Sequence, residues 1–137
     1  MAGHNGYSGT ALPRKLGIVA GSRVAVVSCP EGFCERLAPL PDDIVLRTEA
    51  RGRLDVILFF VTRQAELARR FPAFTRSLEP AGGLWIAWPK KTSGVASDLS
   101  FDVVQGIGLD CGLVDNKVAA IDETWSGLRF VRRTHDR

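Results

Sequence analysis

The sequence is poor in the residue that assists most nucleophilic catalysis. It contains two histidines, His4 and His135, and both lie near an end of the chain. A Ser-His-Asp or Cys-His system needs a histidine beside its nucleophile, so neither is expected in the body of the chain. There is also no His/Cys cluster with the spacing of a metal site, and no metal is expected.

Cysteines are few, and their number is odd. Cys29 and Cys34 are separated by four residues, which is neither the C-x-x-C redox spacing nor a paired zinc spacing, and Cys111 stands alone. We expect these three side chains to be reduced, small and mostly buried. Cys29 is of interest because it falls at the end of a predicted strand.

Long apolar runs are absent. The longest, residues 56–61, is far shorter than the roughly 18 residues that cross a bilayer. Residues 1–10 show no basic-then-apolar order of a secretory signal, and their three glycines predict a mobile arm. We therefore expect a cytoplasmic protein without a membrane partner.

The positive charge is concentrated at one end. The chain carries 18 basic and 15 acidic residues, and residues 129–137 hold four arginines against one aspartate. Subtraction leaves 14 of each sign over residues 1–128, so the excess does not form a basic face. Nucleic-acid binding is not expected, and an anionic small molecule or a protein remains the candidate partner.

Short apolar runs alternate with helix-like segments, which predicts a three-layer, Rossmann-like α/β domain with a mostly parallel sheet. Residues 12–16 predict one helical turn, and a short helix should follow the first strand. The predicted strands are residues 23–28, 44–48, 54–61, 84–88, 113–121 and 128–132. The last two predict a C-terminal antiparallel hairpin. The domain should span residues 12–133, between an arm (1–11) and a flexible tail (134–137).

Two longer helices are predicted on either side of the 84–88 strand. Thr62 suits the N-cap of the first, and Pro72 predicts a kink or a second helix beginning there. Residues 80–83 should form a turn before the strand. Ser97 or Asp98 suits the N-cap of the second helix, with Leu99, Val103 and Ile107 on its buried face.

The tryptophans mark the centre and the end of the sheet. Trp85 and Trp88 are an odd number of residues apart in a strand, so they should point to opposite faces of the sheet. Trp88, at the end of the strand, could form the bottom of a pocket. Trp125 is predicted at the hairpin corner, with its indole covering the sheet edge.

Ligands of open α/β sheets bind at the carboxyl ends of the strands. Three predicted loops meet there, and residues 122–125 are candidates to join them. The candidate ligand-binding residues are Glu31, Gly32 and Phe33, then Thr62 and Arg63, then Trp88, Lys90, Lys91 and Ser93. No catalytic residue is assigned.

The loop of residues 90–94 is the most informative of the three. Its two lysines and two hydroxyls, ahead of a predicted helix N-terminus, suit a phosphate or carboxylate. The order of a P-loop is absent, and a solvated loop whose lysines confer solubility fits equally well. The role of Glu31 has the same two interpretations, since a carboxylate in the first turn of a helix commonly stabilises that helix and need not bind a ligand.

No cofactor is assigned, because the loop after the first strand lacks G-x-G-x-x-G. Its Ser-Cys-Pro-Glu-Gly-Phe sequence has one glycine, and Pro30 removes a backbone donor. This argues against the standard mode of binding NAD or an adenosyl cofactor.

Several segments resemble DUF3052, a family of bacterial proteins whose label names no activity. They include Ala-Gly-Gly-Leu-Trp-Ile-Ala-Trp-Pro-Lys-Lys at residues 81–91 and Trp-Ser-Gly-Leu-Arg-Phe at residues 125–130. More loosely, Gly82-Gly83-Leu84-Trp85 and the closing hairpin resemble a trimmed class I methyltransferase-type Rossmann fold. The first resemblance brings no catalytic residues, and the second implies a methyltransferase-like fold.

Three functions follow as hypotheses. The first is a small binding or regulatory module with an anion site at the carboxyl edge of the sheet. The second is a minimal methyltransferase-like enzyme with a non-standard cofactor loop. The third is a subunit that docks on another protein through the hairpin and the Arg-rich tail. The sequence leaves open whether the protein is an enzyme, which ligand it binds, and its oligomeric state.

Overall fold

The structure is a computed structural model that describes residues 11–137. The predicted arm lies almost entirely outside the described residues. The helices are α1 (Leu12–Lys15), α2 (Phe33–Leu37), α3 (Gln64–Ser77) and α4 (Phe101–Asp110). The strands are β1 (Arg23–Val27), β2 (Val45–Arg47), β3 (Leu54–Phe60), β4 (Leu78–Pro89), β5 (Leu113–Ala120) and β6 (Trp125–Arg132). Short 3-10 helices occupy Lys91–Ser93 and Thr134–Asp136.

The strands form one six-stranded sheet in the order β2-β1-β3-β4-β6-β5. β1 pairs in parallel with β2 and β3, and β3 pairs in parallel with β4. β6 is antiparallel to both of its neighbours, β4 and β5. The predicted mixed sheet, mostly parallel with an antiparallel C-terminal hairpin, is therefore confirmed.

Helices cover both faces of the sheet and divide the core in two. Leu67, Phe71 and Phe74 of α3 and Val104 of α4 pack on one face, together with Trp88. Leu16, at the end of α1, and Phe33 and Leu37 of α2 pack on the other, together with Trp85. We call these the α3–α4 face and the α1–α2 face. The two tryptophans of β4 point to opposite faces, as predicted.

Charged side chains cluster at the amino ends of the central strands. Asp55 Oδ2 accepts a hydrogen bond from the backbone N–H of Arg23 at 2.8 Å, which accounts for the one charged residue in β3. Glu79 pairs with Arg53 at 3.0 Å and with Arg23 at 2.6 Å. Hydrogen bonds from Arg53 and then from Arg23 lower the pKa of the Glu79 carboxyl. This network joins β1, β3 and β4.

The predicted start of a second helix at Pro72 is wrong. α3 is one continuous helix of 14 residues, and Pro72 lies inside it. Pro72 is exposed, whereas Phe71 and Phe74 on either side of it are almost fully buried. Burial of two phenylalanines contributes about 3 kcal/mol or more, which matches the roughly 3 kcal/mol cost of an internal proline.

The predicted turn at residues 80–83 is also wrong, because β4 begins at Leu78. Gly82 and Gly83 lie within the strand, where close packing excludes a side chain. A Cβ at Gly82 would come within 2.8 Å of the Asp55 carbonyl, and one at Gly83 would collide with the Arg129 guanidinium. Glycine is needed at these positions because neighbouring chain segments pack closely against them, and not because the chain turns there.

The N-cap of α4 is Ser100, and not Ser97 or Asp98. The Ser100 hydroxyl accepts from the backbone N–H of Val103 at 3.4 Å. The buried positions of the helix are Val104 and Gly108, whereas Val103 and Ile107 are only partly buried against the core. Leu99 is buried as predicted, but it precedes the helix.

The last strand begins at Trp125, three residues before its predicted start. Trp125 lies at the hairpin corner, as predicted, because its carbonyl accepts from the N–H of Ile121 at 2.9 Å across the β5–β6 turn. Its ring meets that of Phe60 edge-on at 5.1 Å, so the indole packs on the α1–α2 face and does not cover the sheet edge. At the other end of β6, Arg132 donates to the carbonyls of Thr75 at 2.7 Å and Leu78 at 2.8 Å. This arginine joins the hairpin to the end of α3.

Within residues 11–137, no helix has both the length and the apolar character needed to span a bilayer.

Two glycines of α4 provide a test of this packing. A Cβ at Gly108 would collide with the buried ring of Phe130, whereas a Cβ at Gly106 would meet nothing within 4 Å. We predict that Gly108→Ala lowers the free energy of unfolding by about 1–3 kcal/mol through overpacking. Gly106→Ala should raise it by about 0.5–1 kcal/mol, since alanine is the better helix former.

Urea denaturation of both variants measures the difference. Each variant serves as the control for the other, because both replace a glycine with alanine at positions two residues apart in α4. Equal effects of the two would contradict the packing of Phe130 against α4.

Candidate functional site

A groove opens at the carboxyl end of β4, on the side of α4. We call it the lysine groove, and its volume is about 520 Å³. Its walls come from the end of β4 and the loop after it, from the start of α4, and from β6. The lining residues are Trp88, Pro89, Lys90, Lys91, Thr92, Leu99, Ser100, Phe101, Asp102 and Ser126.

The lysine side of the groove is held by local hydrogen bonds. The N–H of Lys90 donates to the carbonyl of Thr124 at 2.8 Å, which fastens the loop to the β5–β6 turn. The Ser93 hydroxyl donates to the Lys90 carbonyl at 2.7 Å and accepts from the N–H of Val95 at 3.1 Å. Ser93 therefore closes its own 3-10 turn and does not line the groove. Lys90 is half-buried and Lys91 is exposed.

The opposite side of the groove is the first turn of α4. Ser100 is its N-cap, Phe101 is 37% exposed, and Asp102 is the acidic residue of the first turn. A helix N-terminus presents unpaired N–H groups and a partial positive charge, which favours anions. The carboxylate of Asp102 opposes that preference locally. The groove thus offers cations on one wall and an acid on the other, and the nearly buried Trp88 also lines it.

Thr62 and Arg63 do not line this groove. The predicted N-cap role of Thr62 is wrong, since the N-cap position of α3 is Arg63, whose side chain makes no capping bond. Asp98 takes over that role from outside the helix, because its Oδ1 accepts from the N–H of Gln64 at 2.7 Å. The Thr62 carbonyl accepts from the Ser97 hydroxyl at 2.7 Å.

Glu31, Gly32 and Phe33 lie on the α1–α2 side and likewise do not line the groove. Phe33 is fully buried, with its ring 4.8 Å from that of Phe60. Gly32 precedes α2 with a φ of +81°, a conformation that favours glycine. Glu31 is exposed. The structure therefore separates this loop from the lysine loop.

A polar bridge lies beyond Phe33. Arg36 of α2 pairs with Asp122 of the β5–β6 turn at 2.9 Å. Asp122 Oδ1 also accepts from the N–H groups of Thr124 at 2.8 Å and Trp125 at 2.9 Å. A small cavity of about 220 Å³ is lined by Arg36, Asp122, Glu123 and Thr124. The predicted approach of residues 122–125 to the lysine loop is observed at Lys90 and Thr124.

The cysteines differ from the expectation of burial. Cys34 is exposed, whereas Cys29 and Cys111 are partly exposed. Within residues 11–137 no group of three or more His, Cys, Asp or Glu side chains is arranged to hold a metal ion.

The α4 wall of the groove was missed by the sequence reasoning. Its contributors are Leu99, Ser100, Phe101 and Asp102, together with Ser126 of β6. A local signal existed, since a serine followed by an acid two residues later is typical of a helix start. Ser97 and Asp98 offered a competing cap, and only the structure shows that they bind the start of α3.

Comparisons with known proteins identify the fold. No protein-family model matches the chain, and no curated protein matches it in sequence. Among solved structures, magnesium protoporphyrin IX methyltransferase from Synechocystis PCC 6803 with bound SAH is similar, with a TM-score of 0.60 at 14% identity, over 90% of this chain and 80% of that one. A SAM dependent methyltransferase from Aquifex aeolicus has a TM-score of 0.59 at 17% identity, over 85% of each chain.

The ribosomal protein L11 methylase from Lactobacillus delbrueckii subsp. bulgaricus is a third similar structure, with a TM-score of 0.58 at 13% identity, over 90% of this chain and 75% of that one. At these identities the similarity shows the fold alone. The fold is the Rossmann-like α/β type of these methyltransferases.

Asp98 provides a test of how the loop before α4 is fastened. We predict that Asp98→Ala lowers the free energy of unfolding by about 1 kcal/mol, because the N–H of Gln64 loses its acceptor. Asp98→Asn, which keeps an acceptor oxygen, should recover most of that loss. Urea denaturation gives both values. Equal losses in the two variants would assign the stabilisation to the negative charge of Asp98, and no loss in Asp98→Ala would mean that the capping bond contributes little.

Proposed function

We propose that the protein binds a small anionic molecule in the lysine groove. The observation that carries the proposal is the pairing of Lys90 and Lys91 with the N-terminus of the ten-residue helix α4 across one groove. At about 4 Å in water, one lysine contributes on the order of 1 kcal/mol to an anionic ligand. A helix N-terminus adds roughly 0.3–1 kcal/mol.

Asp102 narrows the kind of ligand. Its carboxylate lines the same groove, so an isolated polyanion would be repelled there. A molecule that carries an ammonium or hydroxyl donor as well as an anionic group satisfies both walls. Two aromatic residues, the exposed Phe101 and the nearly buried Trp88, line the groove and favour a ligand with a flat apolar group. Nucleotides and amino-acid conjugates of nucleosides fit this description.

Methyl transfer is the second candidate function. Solved methyltransferases share the fold, and the Synechocystis protein has been crystallised with SAH and with SAM. These ligands combine a carboxylate, an ammonium group and a flat adenine, which is the combination that the groove favours. The loop after β1 departs from the glycine-rich pattern, so such a cofactor would be bound in another way. Membership of DUF3052 stays a proposal, supported by the runs at residues 81–91 and 125–130.

A ligand screen with a charge-matched control tests anion binding. The probes are adenosylmethionine, adenosylhomocysteine, AMP, ATP and acetyl phosphate, measured by thermal shift and then by calorimetry. We predict that at least one probe binds and that Lys90→Ala/Lys91→Ala weakens it about 30-fold, which corresponds to about 2 kcal/mol.

The control is Arg69→Ala/Arg76→Ala, which removes the same charge from two exposed residues of α3. It should change the affinity less than threefold. Equal losses in both variants would indicate a general charge effect, and the absence of binding by any probe would overturn the proposal.

The methyl-transfer hypothesis predicts the order in which two of the probes bind. Adenosylhomocysteine should bind more tightly than AMP, because its ammonium group can reach an acid. Asp102→Asn should remove that preference while leaving AMP binding unchanged or improved. If adenosylhomocysteine fails to bind at millimolar concentration while AMP binds, methyl transfer is excluded and anion binding stands.

A further inference from the structure

Two cysteine thiols meet at the loop between β1 and α2. The Sγ atoms of Cys29 and Cys34 lie 3.3 Å apart, which is direct contact. Cys29 is partly exposed and follows β1, whereas Cys34 is exposed and lies in the first turn of α2. The four residues between them include Glu31, Gly32 and Phe33. Neither thiol takes part in the lysine groove.

We propose that Cys29 and Cys34 are a redox modification site, which a low-molecular-weight disulfide converts reversibly into an intramolecular disulfide. The bond would close a loop of six residues at the carboxyl end of β1. The proposal rests on the contact between the two sulfurs and on their unequal exposure, and it does not depend on the ligand of the lysine groove.

The exchange proceeds in two balanced steps. The thiolate of Cys34 attacks one sulfur of the oxidant RSSR, which forms a Cys34–S–S–R bond and releases RS⁻, which takes up a proton. Cys29 then loses its proton to solvent and attacks the Cys34 sulfur, releasing the second RS⁻. The two cysteines lose two electrons and two protons in total, and RSSR is reduced to two RSH.

The order of the steps follows from the environments of the thiols. Burial, followed by the hydrogen bond with Cys34, raises the pKa of the Cys29 thiol to about 11. Cys29 is therefore protonated near neutral pH and is a poor first nucleophile. Cys34 is exposed to the oxidant. Cys29 is already in contact with Cys34 and is suited to complete the exchange.

The local backbone is suited to the small movement required. A disulfide needs a sulfur separation of about 2.05 Å, so the sulfurs must approach by a little over 1 Å. The helix that carries Cys34 has only five residues and no side-chain N-cap, so little helical hydrogen bonding opposes a shift. Phe33, anchored against Phe60, would limit the movement to the loop and the start of α2.

Thiol counting on the full chain tests the proposal. The protein is equilibrated in reduced or oxidised glutathione, quenched with N-ethylmaleimide and analysed by intact mass. We predict three adducts in the reduced protein and one, on Cys111, in the oxidised protein. Trypsin should release residues 24–36 as a peptide two hydrogen masses lighter than its dithiol form, and dithiothreitol should restore the three adducts.

Single substitutions separate the two steps. Cys29→Ser should accumulate a stable glutathione adduct on Cys34, because the second nucleophile is missing. Cys34→Ser should leave Cys29 largely unmodified. Cys111→Ser is the matched control and should form the internal disulfide as the wild type does.

Three outcomes would overturn the proposal. The first is full labelling of wild-type Cys29 and Cys34 after equilibration with oxidised glutathione. The second is a stable glutathione adduct on wild-type Cys34, and the third is a disulfide that involves Cys111 or a second chain. The wild-type measurement decides among these even if a serine variant fails to fold.

Discussion

The burial of β4 on both of its faces is the constraint on which the rest of the structure depends. Trp85 is fully buried on one face and Trp88 is nearly so on the other. Such a strand needs a partner on each edge and a helical layer on each side. β3 and β6 supply the edges, and the N–H of the Trp85 indole donates to the Leu16 carbonyl at 3.1 Å, which fixes the end of α1. Pro89 then ends the strand at the lysine groove.

The local pattern sufficed for the number and order of the strands and for the class of fold, because apolar runs indicate burial, but it did not give the starts of β4 and β6. It failed where a residue acts on a distant segment. Pro72 predicts a kink or a new helix start, but α3 continues through it because Phe71 and Phe74 pack in the core. Asp98 reads as the cap of α4, but it binds Gln64, which lies 34 residues earlier in the chain. Gly83 reads as a turn, but it makes room for Arg129.

Contacts between distant segments also explain why only one wall of the candidate site could be predicted from the sequence. The lysine loop was predictable, because it directly follows the strongest buried run of the second half of the chain. The other wall was not, since its position depends on how α4 packs through Gly108 against Phe130. The sequence predicts that Glu31 and Phe33 lie near the lysines, because all of them follow parallel strands, but α2 lies on the opposite face of the sheet. A ligand role for those residues and for Thr62 and Arg63 stays a prediction, as do the cytoplasmic location and a protein partner.

The similarity to methyltransferases shows the fold over 85–90% of the chain, whereas the loops decide where a ligand fits. The strand order reverses between β1 and β3, and ligands of open α/β sheets bind at such a switch point. Close approach there requires exposed backbone, yet this chain places the rings of Phe33, Phe60 and Trp125 in an edge-to-face row on one side of it. The Arg36–Asp122 pair connects the outer ends of that row. The lysine groove lies instead over the ends of β4 and β6, so a ligand bound there would be displaced along the sheet from the switch point. The chemistry of this chain has to be argued from the side chains at the carboxyl edge of its sheet, because the fold alone does not determine which ligand binds there.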